Sequence, residues 1–306
     1  MSPQDGSAFL SFHEDEVRAQ ELSGQRSGRA AIRPFMPDPH RAFFALLPTL
    51  FTATLDARGW PMASVLTGAP GFVTSPDPTT LRIDALPAAA DPAAASFVAD
   101  AEIGLIGLDS ATRRRNRANG RVVAVDGGLT LHITQSFGNC PQYIQTRRST
   151  PRAANAAPAE SLAKLDDAAR SLIGSSDTFF IASRSRPEVG AAGGLDMSHR
   201  GGRPGFVGIA GDVLAIPDFR GNRFYNTLGN LLGDPRAGLI FIDFATGDIL
   251  QVQGTVEIDW HPSGGPSGAE RLWRLKVERA WRRRDAFPFT STFGDYAPTT
   301  LATGLR

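Results

Sequence analysis

A single cysteine, Cys140, stands in 306 residues. One thiol cannot build an intramolecular disulfide framework or a zinc site made of several thiolates. The five histidines are scattered, with no His-Glu-x-x-His pair, so no metal is expected. Lysine is almost as scarce: apart from Lys164 and Lys276, every basic side chain is arginine. A phosphate bound here must therefore be gripped by guanidinium forks and backbone N–H groups. Charge of one sign is missing too, since 32 basic residues face 31 acidic ones for a net charge of +1. That balance argues against a nucleic-acid partner or an acidic membrane surface. The longest apolar stretch, Ala42 to Leu55, is interrupted by Pro48 and is too short to span a membrane. Residues 1–30 lack an apolar segment of secretory length and carry Asp5, Glu14, Asp15, Glu16 and Glu21. A soluble, cytoplasmic protein is the expectation.

The 32 glycines are equally telling, because no two are separated by a single residue. Without Gly-x-Gly there is no dinucleotide fingerprint of the strand–turn–helix type. No glycine precedes a lysine and no Gly-x-Ser-x-Gly occurs, which excludes the phosphate loop and the nucleophile elbow.

What is present is a repeat. Pro70-Gly71-Phe72-Val73 returns as Pro204-Gly205-Phe206-Val207, an offset that also relates Gly104-Leu105-Ile106 to Gly238-Leu239-Ile240 and Asp109 to Asp243. Upstream, Leu50 to Thr54 resembles Phe179 to Ser183 at a shorter offset, so the second copy carries five extra residues there. Each copy opens with a short apolar helix and continues in β-branched and aromatic strands punctuated by turn signals. A second short helix is expected near Asp91 to Ala99 and near Asn222 to Leu232. The expected organisation is an N-terminal extension (1–37), a first copy (38–147), a linker (148–158) and a second copy (159–306). Mostly antiparallel strands with few short helices point to a mainly β protein of two small barrels.

The copies differ where chemistry is to be sought. Copy two has Ser198-His199-Arg200 where copy one has Ser64-Val65-Leu66. Its Arg220, Asn222, Arg223 and Asn226 are matched by Leu86, Ala88, Ala89 and Pro92. Two guanidiniums and two amides at a strand-to-helix junction make an anion site, helped by free N–H groups and the helix dipole. The alternative for Arg220 and Arg223 is solvation, or pairing with Asp218 or Asp234. Arg113-Arg114-Arg115, Arg117 and Arg282-Arg283-Arg284 are read as solvated or inter-barrel salt-bridged charges, since no aromatic residues interleave them.

The runs SHRGGRPGF, DFRGNRFYNTLGN and PRAGLIFIDF resemble the pyridoxamine 5′-phosphate oxidase-like, FMN-binding split-barrel flavoproteins, and FGNCPQYIQ is similar to a segment of the same group. The resemblance covers most of residues 38–290 and is best in copy two. It implies tandem split barrels with FMN between them; FAD or a deazaflavin would share the phosphate grip. Arg220, Asn222, Arg223 and Asn226 would hold the phosphate. Ser198, His199 and Arg200 would line the ribityl chain or ring, with Gln251 and Trp281 as weaker ring candidates. A fused pair forms an intrachain pseudo-dimer with one competent site, to which copy one offers Gln135, Asn139, Tyr143 or Arg147; a further homodimer stays open. Cys140 is either a small buried residue or a reactive thiol. The implied activity is flavin-mediated hydride or electron transfer with a small-molecule substrate or electron donor, with no catalytic side chain identified. The substrate-phosphate residues of the true oxidase are not recognisable. The alternatives are a non-catalytic flavin- or haem-binding module and a degenerate barrel-pair scaffold.

Overall fold

The computed structural model describes residues 9–304, apart from Arg29 and Ala156. Met1 to Ala8 of the expected extension, Asp5 among them, and the last two residues of copy two lie outside the described residues.

Copy one supplies β1 (Thr49–Leu55), β2 (Pro61–Thr67), β3 (Val73–Asp77), β4 (Thr80–Ile83), β5 (Glu102–Asp109), β6 (Arg114–Val125) and β7 (Leu129–Gly138). They form one antiparallel sheet in the order β2-β1-β5-β6-β7-β4-β3. After β8 (Arg147–Pro151) and β9 (Glu160–Leu162), copy two adds β10 (Thr178–Arg184), β11 (Leu195–Gly201), β12 (Gly208–Ala210), β13 (Val213–Phe219), β14 (Arg236–Ile242), β15 (Ile249–Asp259) and β16 (Ala269–Arg283). Their order is β11-β10-β14-β15-β16-β13-β12, the same path strand for strand, with β9 added against β16. The fold is thus mainly β, built twice. The five extra residues of copy two fall between β10 and β11, where a short 3-10 turn (Pro187–Ala192) sits.

The helices are short: α1 (Glu14–Leu22), α2 (Asp38–Ala45), α3 (Asp167–Ser175), α4 (Asn226–Gly233) and α5 (Pro298–Leu301). Two prolines open α2, and the Asp166 carboxylate caps α3 by accepting from Ala169 N–H at 2.8 Å. The copy-one match of α4 shrinks to a single 3-10 turn, Ala94–Ser96. Four of the eleven residues of the expected linker are strand, because Arg147–Pro151 pairs antiparallel with β17 (Phe289–Phe293). Its Arg-Ser-Thr-Pro composition reads as linker, and only the distant partner turns it into a ribbon. No helix among the described residues is long and apolar enough to cross a membrane.

Each barrel has its own apolar core, and a third core lies between them. This explains the nearly unbroken apolar runs of β1 and β10: one face fills the barrel and the other fills the seam. The seam contacts are reciprocal. Phe51 stacks on its repeat counterpart Phe180, with centroids 3.5 Å apart and planes at 14°. A Cβ on Gly104 would lie 2.6 Å from the Leu195 carbonyl oxygen, and one on Gly238 would lie 2.4 Å from that of Pro61. Gly104 and Gly238 are repeat counterparts, as are Pro61 and Leu195, so the copies meet across a pseudo-two-fold axis. Backbone stands opposite in both cases and cannot give way. Gly238→Ala is accordingly expected to cost about 2 kcal/mol or more, measured as a lowered urea midpoint. An unchanged midpoint would mean that the seam is looser than this.

Candidate functional site

Strand alternation decides which arginines of β6 reach the seam. Arg114 stacks over Phe43 in the core of copy one, so Arg115, Arg117 and Asn119 take the opposite face and point toward copy two. They meet β11, the segment after β7, and the β13–α4 loop in two adjoining clefts. The first, about 70 Å³, is lined by Arg115, Arg117, Asn139, Cys140, Tyr143, His199 and Arg200 among others. The second, about 60 Å³, includes Arg117, Arg200, Asn222, Arg223, Asn226 and Arg271 at the start of α4. Arg117, Arg200, Phe219, Gly221 and Asn222 line both.

The charge in this site exceeds what its acids can satisfy. Asp218 takes Arg200 at 3.2 Å and Arg271 at 2.8 Å, and Asp196 lies 3.5 Å from Arg117. Arg115 donates to His199 Nδ1 at 2.8 Å and lies 3.6 Å from the Cys140 sulfur. Burial pulls Arg117 down to about 10 and lowers Arg115 as well. Burial first, and then the guanidiniums of Arg115, Arg200, Arg147 and Arg117, hold His199 neutral, well below the usual imidazole range. Its proton then sits on Nε2, because a guanidinium at Nδ1 can only donate. Among the described residues, Arg115 Nε, Arg117 Nε, Asn139 Nδ2, Arg200 Nε and His199 Nε2 are buried without a hydrogen-bond partner. Each is a donor, and unsatisfied buried donors cost roughly 1–3 kcal/mol apiece, more when charged. Such a cluster fits a ligand rich in acceptor atoms and negative charge, as a phosphate-bearing flavin is.

The expected residues divide clearly. Asn222 and Arg223 line the second cleft, whereas Arg220 is exposed at its rim and offers its backbone carbonyl to the Tyr143 hydroxyl. Neither arginine pairs with Asp218 or Asp234, which are taken by Arg200 with Arg271 and by Arg236. Asn226 lines the cleft, but its amide donates to the Glu16 carboxyl. Ser198 is hydrogen-bonded to Thr227 at 2.8 Å and steadies the first turn of α4. Asn139, Cys140 and Tyr143 line the first cleft. Gln135 does not; it binds Asn119 and the Ala192 and Gly193 carbonyls. Arg147 is held by Asp177 in a separate cavity.

Gln251 and Trp281, expected near the ring, line neither cleft. Gln251 donates to the Ala63 carbonyl and to Asp91, and Trp281 packs against the core of copy one. The repeat explains the placement of Gln251, which is the counterpart of Arg117 and so falls in the mirror position. There Asp91 accepts from Ser64 at 2.6 Å, Arg283 at 2.7 Å and Gln251 at 2.9 Å. An internal carboxylate occupies the place where the open site would take an anion. Of the arginine runs, Arg283 and Arg117 are inter-barrel pairs as expected, while Arg115 faces the cleft without an acid partner. The alternation Arg113-x-Arg115-x-Arg117 was the available signal for a one-faced cluster. Arg271 had no sequence signal.

The N-terminal helix was also not anticipated at the site. Here α1 packs on α4, with His13 Nε2 at 3.1 Å from Asn230 Oδ1 and Glu16 against Gly229. Burial, and then the nearby Asp196, push the Glu16 carboxyl up to about 8 from an ordinary 4.5. The folded chain thus keeps a proton that the unfolded chain releases near 4.5. Stability is expected to fall by about 1.4 kcal/mol per pH unit as pH rises between those values, then level off. Urea unfolding of Glu16→Gln from pH 5 to 9 should lack this slope. A slope equal to that of the parent would show that Glu16 is ionised when folded.

No protein-family model and no curated protein match the chain. Among solved structures it is similar to a HupZ variant from Group A Streptococcus, at 14% identity and a TM-score of 0.30, over 39% of this chain and 99% of that one. An FAD-binding protein from Mesorhizobium loti matches at 12% identity and 0.29, over 41% and 97%. A Clostridium acetobutylicum protein related to general stress protein 26, of the pyridoxinephosphate oxidase family, matches at 12% identity and 0.27, over 42% and 92%.

Proposed function

We propose that this chain is an FMN-dependent oxidoreductase related to the pyridoxamine 5′-phosphate oxidase-like flavoproteins, cytoplasmic, with one cofactor per chain. The observation that carries this reading is the set of orphaned buried donors in one seam site, opposite a mirror site already filled by Asp91. Arg200, Asn222, Arg223 and the first turn of α4 would hold the phosphate, with Arg117 reaching in from copy one. Arg115, Asn139 and Tyr143 would border the ring. Bound flavin supplies hydride or electron transfer to or from a small substrate or electron donor. The protein's own part is positional and electrostatic. Five guanidiniums, those of Arg115, Arg117, Arg200, Arg223 and Arg271, around two aspartates favour a ligand that carries negative charge, and the packed seam keeps water from it. His199 is kept neutral and so adds no further positive charge. The unpartnered donors count against a scaffold without a ligand.

The test is the visible spectrum of the purified protein, with mass spectrometry of whatever denaturation releases. One FMN per chain is expected, bleached by a suitable reductant and restored by an acceptor. Two per chain would sink the single-site reading, and a colourless protein that fails to take up added FMN would sink the flavin reading.

A further inference from the structure

A separate cavity of about 390 Å³ opens where the two copies meet. That volume lies in the range of small-molecule sites. It straddles the pseudo-two-fold axis, because the stacked pair Phe51 and Phe180 and the counterparts Ser110 and Phe244 all line it. Phe287 adds a further aromatic wall, edge-on to Phe244 with centroids 5.9 Å apart.

Its polar groups are unequal. Arg147 is committed to Asp177 at 2.5 and 2.6 Å and packs over Phe244. Asp109 accepts from Ala111 N–H and the Thr112 hydroxyl. Arg148 is exposed and has no ion-pair partner among the described residues. His199 lines both this cavity and the arginine-lined cleft. It is 5% exposed, its Nδ1 is taken by Arg115, and its Nε2–H has no partner.

We propose that this cavity binds a planar aromatic anion. The ring system lies among Phe51, Phe180, Phe244 and Phe287, the acidic group faces Arg148, and an acceptor atom receives the His199 Nε2–H. Aromatic walls reward a flat apolar body, and of the charged side chains that line the cavity Arg148 alone has neither an ion pair nor a side-chain hydrogen bond among the described residues, Asp109 being turned to Ala111 N–H and the Thr112 hydroxyl. Only the identification of this ligand as the redox partner of the cofactor rests on the flavin reading, since the two sites meet at His199.

The probes are 1-anilinonaphthalene-8-sulfonate and N-phenyl-1-naphthylamine, the same ring system without the sulfonate. The anionic probe should saturate at one per chain and bind more tightly than the neutral one. Arg148→Glu should weaken the anionic probe roughly tenfold and leave the neutral one in place. Ala111→Trp, on the exposed turn that lines the cavity, should abolish both. Anionic-probe binding that is indifferent to both substitutions would overturn the proposal. FMN titrated into the same preparations separates the two readings. Normal FMN uptake with indifferent probes overturns the cavity alone. Probe binding that responds to the substitutions, without any FMN uptake, supports the cavity and overturns the flavin reading.

Discussion

Arg200→Ala is expected to weaken FMN binding by roughly 100-fold and to leave the chain folded. Arg200 lines both clefts and its Nε is buried without a partner. A charge-assisted hydrogen bond to phosphate contributes about 1.5–3 kcal/mol, and every 1.4 kcal/mol is a factor of ten. The substitution isolates binding from stability because Asp218, left by Arg200, keeps Arg271 at 2.8 Å. Arg223→Ala should act in the same direction from the loop side. Leu86→Ala, at the copy-one position matching Arg220, is the control; that side chain is 46% exposed and lines neither cleft. Flavin fluorescence titration of the three variants reads the outcome. Equal losses from Arg200→Ala and Leu86→Ala would refute a site belonging to copy two.

Asp91→Ala is expected to destabilise the fold by about 3–5 kcal/mol, the usual result of stranding one member of a buried ion pair. Arg283 and Asp91 are 4% and 1% exposed at their side chains, and Arg283 Nε already lacks a partner. Loss of the carboxylate would strand the guanidinium and remove acceptors from Ser64 and Gln251. Burial already lowers Arg283 and the neighbouring Asp91 raises it, so the charge depends on its partner. The double replacement Asp91→Ala with Arg283→Met should recover much of the loss, because an apolar filling carries no desolvation penalty. Urea unfolding of the single and double variants measures this coupling. A double variant no more stable than Asp91→Ala would show that the pair is not the cause.

The two substitutions probe the two mirror-related sites of the seam, one open and one closed by Asp91, which is the sense in which the seam is asymmetric. How far this asymmetry was legible differs from residue to residue. The replacement of Arg220, Asn222, Arg223 and Asn226 by Leu86, Ala88, Ala89 and Pro92 is plain in the aligned copies, and it points to the half of the seam where the unpartnered donors lie. The same alignment misled for Gln251. A residue matched to one half of a pseudo-dimer contributes to the site of the other half, and one-dimensional comparison does not say which. Arg115 and Arg117 sit in an arginine run just after a turn, where exposed charge is common. Their burial depends on a neighbour about eighty residues away in the chain, β11. Glu16 and His13 lie in an extension with no repeat partner, and their docking on α4 follows from Gly229, whose missing side chain admits Glu16.

The sequence alone determined the architecture: periodic apolar strands, turn residues and a recurring Pro-Gly-Phe-Val specify the same antiparallel path twice, because strand formation and turn chemistry are local. It also determined that any anion held here is held by arginine. Tertiary structure decided which arginines those are. Two barrels with bare glycine backbone at Gly104 and Gly238 can approach closely enough to desolvate the groups between them. Once water is excluded, each buried charge must find an internal partner or a ligand. In one half of the seam Asp91 is that partner; in the other, the Nε–H groups of Arg115, Arg117 and Arg200 have none among the described residues.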